Sequence, residues 1–158
     1  MTTPPKPTPE ETAIWQRRLA SQANNRAWVL ADQLSRTQDE DQEMLQAAHA
    51  AMFFWKIIGT PNNHAHAAQL LAHVYALQHL PKPANFYLDK SNSFFQTAQN
   101  EPWEIAYALL VNANVAYVTG KNAEYKLFYE QAQTSITNLG DPEDQKILQI
   151  SFASVPKP

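Results

Sequence analysis

The chain has 158 residues, a formal net charge of -3 and no cysteine. That suits one domain with a sizeable core, and it excludes a disulfide framework and a thiolate metal site. Lysine and arginine are dispersed rather than gathered into a basic stripe, so nucleic acid is not an expected partner.

The opening MTTPPKPTPEE has no apolar core of the signal-peptide kind, and no apolar run reaches membrane-spanning length. A cytoplasmic protein with no membrane partner is expected. Residues 1–8, with Pro4, Pro5 and Pro7, read as an extended or disordered lead-in, and 9–155 as a single helical domain. Pro9, Glu10 and Glu11 open a first helix, with acidic groups at the positive end of its dipole. Trp15, Leu19, Ala23, Ala27, Leu30, Ala31 and Leu34 keep one face apolar to about Arg36, with Asn24 and Asn25 marking a place where the helix could break. Thr37 or Asp39 caps a second helix, in which Met44, Ala48, Ala51, Trp55 and Ile58 sit together and which ends at Gly59. Phe53, Phe54 and Trp55 read as core packing.

Thr60 and Pro61 lead into a third helix that runs to about Leu80. Ala67, Leu70, Leu71, Val74 and Leu77 give it a buried stripe, while Ala65, Ala68, Ala72 and Ala76 make a small-residue ridge that lets a neighbour approach closely. Pro81 and Pro83 stop it, and Pro83 opens a fourth helix to about Gln99, with Ala84, Leu88, Ser91, Phe95 and Ala98 on one stripe. Pro102 starts a fifth, which ends at Gly120; Asn122 starts a sixth, to Leu139, closed by Gly140. All three glycines fall where a helical pattern ends, the position that calls for a left-handed residue. Asp141, Pro142, Glu143 and Asp144 start a seventh helix, whose Ile147, Leu148 and Phe152, with Val155, would cover the exposed side of the preceding hairpin. The expected fold is all-α, about seven helices forming three antiparallel hairpins and a C-terminal capping helix.

Shifting the chain along itself pairs Ala67 with Ala108, Leu70 with Val111, Ala72 with Ala113, Val74 with Val115 and Leu77 with Val118. A helix, turn and helix recurring at such a period is the pattern of stacked helical-hairpin arrays. Ala72, Tyr75, Ala84, Leu88 and Ser91 in one copy, and Ala113, Gly120, Tyr129 and Ala132 in the other, follow the order of a degenerate tetratricopeptide repeat, and the pair of hairpins resembles that family. The period is several residues longer than the family's, and Tyr125 stands where a small residue is usual. The segment from His49 to Phe95, with Trp55, Gly59, Pro61, Leu71, Ala72, Val74 and Tyr75, is also similar to bacterial helical proteins of uncharacterised activity.

The resemblance implies a right-handed superhelix whose first helices line a concave groove. Its lining would be His66, Gln69, His73, Ala76 and Leu77 in one copy and Tyr107, Leu110, Asn114, Tyr117 and Val118 in the other. The binding residues expected from it are His66, Gln69, His73, Tyr107, Asn114 and Tyr117. The lysine and arginine clamp that some members use for a C-terminal carboxylate is absent. Five histidines invite a metal, but His66 and His73 stand too far apart along one helix and no pair has the four-residue spacing of a zinc helix, so neither metal nor other cofactor is expected. There is no nucleophile elbow, phosphate-cradling loop or carboxylate pair on an apolar face, and the acidic run of Asp39, Glu40, Asp41 and Glu43 reads as a solvated helix start. The expected function is a non-enzymatic scaffold that binds a protein, a peptide or another copy of itself in the groove. The alternative is a small-ligand receptor or enzyme with a histidine- and tyrosine-lined pocket between helices.

Overall fold

Helices begin in this chain where the sequence supplies partners for the first free amides. Thr8, Thr37 and Thr60 each accept from the third helical amide and receive a side chain in return, and so open α1 (Pro9–Ala31), α2 (Gln38–Ile58) and α3 (Pro61–Leu77). Proline stands near the start of α4 (Pro81–Phe95) and α5 (Pro102–Val118), where its missing amide has no helical partner to lose. After α6 (Asn122–Thr137), Asp141 caps α7 (Pro142–Phe152) through the amides of Glu143 and Asp144. The structure is a computed structural model that describes residues 6–97 and 99–158. Ala98 and the first five residues of the lead-in lie outside the described residues, of which Lys6–Thr8 are irregular and exposed. The described residues form seven helices and no strand, an all-α fold. Among them no helix is long and apolar enough to cross a membrane.

Several boundaries differ from the sequence pattern for identifiable reasons. The first helix ends at Ala31, not near Arg36, because the Arg36 guanidinium folds back onto the carbonyls of Leu30, Ala31 and Gln33 and leaves Leu34 78% exposed. Asn24 and Asn25 do not break α1. The fourth helix starts at Pro81, two residues early, since both prolines fit among the first turn's free amides, and it ends at Phe95.

Only Gly120 of the three glycines has a positive φ, 74°; among the described residues the other left-handed position is His79, at 56°. His79 and Gly120 close α3 and α5 with the same pair of bonds: Leu80 and Lys121 donate to the carbonyls of Tyr75 and Ala116, while His79 and Gly120 donate to those of Ala76 and Tyr117. Gly59 serves a different need. Its backbone is extended, and a Cβ there would stand 2.5 Å from the Trp55 carbonyl oxygen.

The helices pair as hairpins, α1 with α2, α3 with α4 and α5 with α6. The first helices pack side by side in the order α1, α3, α5, α7, and each second helix also touches the first helix of the next layer. The alanine ridge of α3 is buried throughout, so this helix is enclosed by neighbours on several sides. Phe53, Phe54 and Trp55 are not core as the sequence suggests: among the described residues no helix packs outside the first hairpin, so Phe53 is exposed and the other two are half-buried. Tyr125, in the place of Ala84, donates its hydroxyl to the Pro156 carbonyl, because the layer beyond α6 is α7 and its tail rather than another hairpin.

Candidate functional site

The equivalent helices α3 and α5 bring equivalent residues face to face. His73 and Asn114 occupy the same place in the two copies, 41 residues apart, and the Asn114 amide donates to His73 Nδ1 at 3.1 Å. This leaves the imidazole proton on Nε2, 3.4 Å from Ser154 Oγ, whose own hydrogen goes to the Ser151 carbonyl at 2.6 Å. From the other side the Trp28 indole of α1 stacks on the ring, centroids 5.9 Å apart. His73 is wholly enclosed, and burial, helped by the charge of Arg36, lowers its pKa to about 3. It is a neutral core residue.

The two ends of the row of first helices also meet. Asp32, at the end of α1, accepts from Ser151 Oγ of α7 at 2.7 Å. The row of first helices therefore curls until its last member meets its first. The concave face expected to be an open groove is turned inward: Gln69, His73, Ala76, Leu110 and Asn114 are buried and present no surface to a peptide. Neither amide atom of Gln69 has a protein partner.

At the end of the ring nearest the starts of α3 and α5, the four first helices leave a half-open cavity of about 300 Å3. Asn24 and Trp28 line it from α1, His66 from α3, Trp103 and Tyr107 from α5, and Asp144, Ile147, Leu148 and Ser151 from α7. Trp103 stacks on His66 with centroids 5.4 Å apart and planes 12° from parallel, and Trp28 meets Tyr107 edge-on at 4.8 Å. His66 Nε2 donates to Glu104 Oε1 at 2.7 Å, and Glu104 Oε2 accepts the Glu101 amide that begins α5. Burial works against the Glu104 charge, but the bonds from Glu101, His66 and Asn62 outweigh it and hold the carboxyl below its ordinary range. The Tyr107 hydroxyl has no hydrogen-bond partner, and burial, with the Asp32 charge behind it, raises its pKa well above the usual phenol value. Burial also raises the Asp32 carboxyl, against the Ser151 bond.

These groups form a site suited to binding. Within the cavity lining Ser151 is bonded to Asp32 and the His66 ring to Glu104. His66 and Tyr107 of the expected binding set reach the cavity, and Gln69, His73 and Asn114 lie buried away from its lining. Tyr117 is elsewhere, exposed at the far end of α5 beside Tyr125 and His79. His49 pairs with the Tyr75 hydroxyl at 2.7 Å and His64 with the Trp55 carbonyl at 2.8 Å. Among the described residues no three histidine, cysteine or acidic side chains gather to hold a metal.

Sequence reasoning passed over Trp28 and Trp103, the two largest walls. A signal existed for each. Trp28 stands one turn after Asn24 beside the buried Ala27, and Trp103 follows Pro102 at a helix start that needs no aromatic. Compared with known proteins, the chain matches no family model, no curated protein and no solved structure.

Proposed function

We propose that this chain is a non-enzymatic receptor for a small organic ligand, held in the cavity between α1, α3, α5 and α7. The observation that carries the reading is the closure of the first-helix row by the Asp32–Ser151 bond, which converts a shared trough into a cavity of about 300 Å3 walled by two indoles, a phenol and an imidazole. Ligand sites of this kind are concave, mostly apolar and equipped with a few fixed polar groups. The other expectation, a protein or peptide laid along the groove, loses its contact residues to the interior, since Gln69, His73 and Asn114 are covered. The packing of each second helix on the next first helix, and the matching closures at His79 and Gly120, support a tetratricopeptide-like plan for the scaffold.

The test fills the cavity from its rim. Ile147 lines it but is largely exposed, so Ile147→Trp should occupy the space without disturbing the fold. Fragments found by thermal shift and by movement of the Trp28 and Trp103 indole signals should lose affinity at least tenfold in this variant. Ligands that bind the variant as well as the parent chain would place the site elsewhere.

A further inference from the structure

The cavity has a charge character as well as a shape. No lysine or arginine lines it. Asp144 stands in the lining and forms no ion pair with any described residue. Two further carboxylates lie immediately behind the walls, Glu104 bonded to His66 and Asp32 bonded to Ser151. An anion entering here would meet Asp144, which the start of α7 offsets only in part, and would find the His66 Nε2 proton already given to Glu104. A neutral apolar molecule would leave Asp144 without a partner as its water is displaced.

The aromatic walls favour the opposite sign. Trp28 is stacked on by His73 and packs into the core, and Trp103 is stacked on by His66, and both indoles also line the cavity. Tyr107 adds a third ring, set edge-on to Trp28. Ring faces carry negative potential and attract a desolvated cation, tryptophan most strongly, and several rings around one carboxylate make a cage for methylated or primary ammonium groups. Ile147 and Leu148 supply an apolar wall for the remainder of such a molecule.

We propose that the cavity takes a compact organic cation, an amine or methylated ammonium on a small apolar body, with Asp144 as counter-charge and the rings of Trp28, Trp103 and Tyr107 as its cage. This rests on the reading of the cavity as the binding site, and the probes are chosen to separate the two.

Three molecules of similar size and different charge serve: meta-hydroxyphenyltrimethylammonium, its uncharged carbon isostere meta-tert-butylphenol, and meta-hydroxybenzoate. Binding to the full chain is measured by calorimetry and by the indole signals of Trp28 and Trp103 at neutral pH. The cation should bind about tenfold or more tightly than the isostere, and the benzoate should not bind. Asp144→Asn should weaken the cation several-fold and leave the isostere unchanged, while Trp103→Leu, at a half-exposed rim position, should weaken the cation. Equal or tighter binding of the isostere or the benzoate would overturn the cation assignment and leave the cavity standing as a site. If none of the three moves the indole signals, the cavity is not a binding site, and both readings fall.

Discussion

A histidine with no path to water has to enter the folded state neutral, and this makes His73 an acid sensor of stability. An ordinary imidazole titrates at 6.5, whereas His73 is held at about 3. Below pH 6.5 the unfolded chain takes up a proton that the folded chain refuses until pH falls to about 3. Stability should therefore drop across that window by about 1.4 kcal/mol per pH unit. His49, lowered by burial, acts in the same direction near the upper end. Asp32, raised by burial, acts oppositely: its contribution is present below 3.8 and is lost as pH rises through its folded value. Urea unfolding of His73→Leu between about pH 6 and about pH 4 should show a slope shallower by about one proton than the parent chain. Equal slopes would mean that His73 already reaches solvent. The burial was not legible in the sequence. The resemblance puts His66, Gln69 and His73 on one groove-lining face, but the groups that cover His73, Trp28 and Ser154, come from opposite ends of the chain.

Helix ends follow local chemistry, and most of them could be read directly. Threonine caps with a matching residue at the third position, prolines near helix starts and the Asp141 cap act within one turn of chain, so they fix helix starts whatever surrounds them. Helix ends were less legible, because apolar spacing continues past the true stop. Leu34 keeps the period of α1 although Arg36 has already closed it. The repeat offers a sharper test of the same chemistry. His79 and Gly120 sit at corresponding turns with φ of 56° and 74°, and only one of them is glycine. A side chain in this conformation costs about 1 kcal/mol. His79→Gly should therefore stabilise the protein by about that amount and Gly120→Ala should destabilise it similarly, as read by thermal unfolding. No clash complicates the second change, since nothing lies within 4 Å of an added Cβ at Gly120. Changes of the same sign would show that the two turns are not equivalent.

At the scale of the whole molecule, α7 decides whether the stack has an open side. In a linear array a terminal helix touches only its neighbour, and removing it affects the last layer alone. Here α7 packs on α5 and α6 and also reaches Asp32 in the first hairpin, while its tail places Ser154 against His73. A chain ending at Gly140 should therefore lose the burial of Leu148 and Val155, about 2 kcal/mol each, and melt about 10 °C lower. Loss of that contact should also be felt at the ring's centre, where His73 is left with Trp28 on one side and water on the other. Followed by its imidazole resonances, His73 in the shortened chain should titrate well above 3 and toward 6.5. Amide exchange should quicken in α5, α6 and the end of α1 while the α1–α2 pairing persists. If His73 instead keeps its depressed pKa, α1 alone seals the concave face, and the closed ring is a consequence of how Trp28 packs rather than of the capping helix.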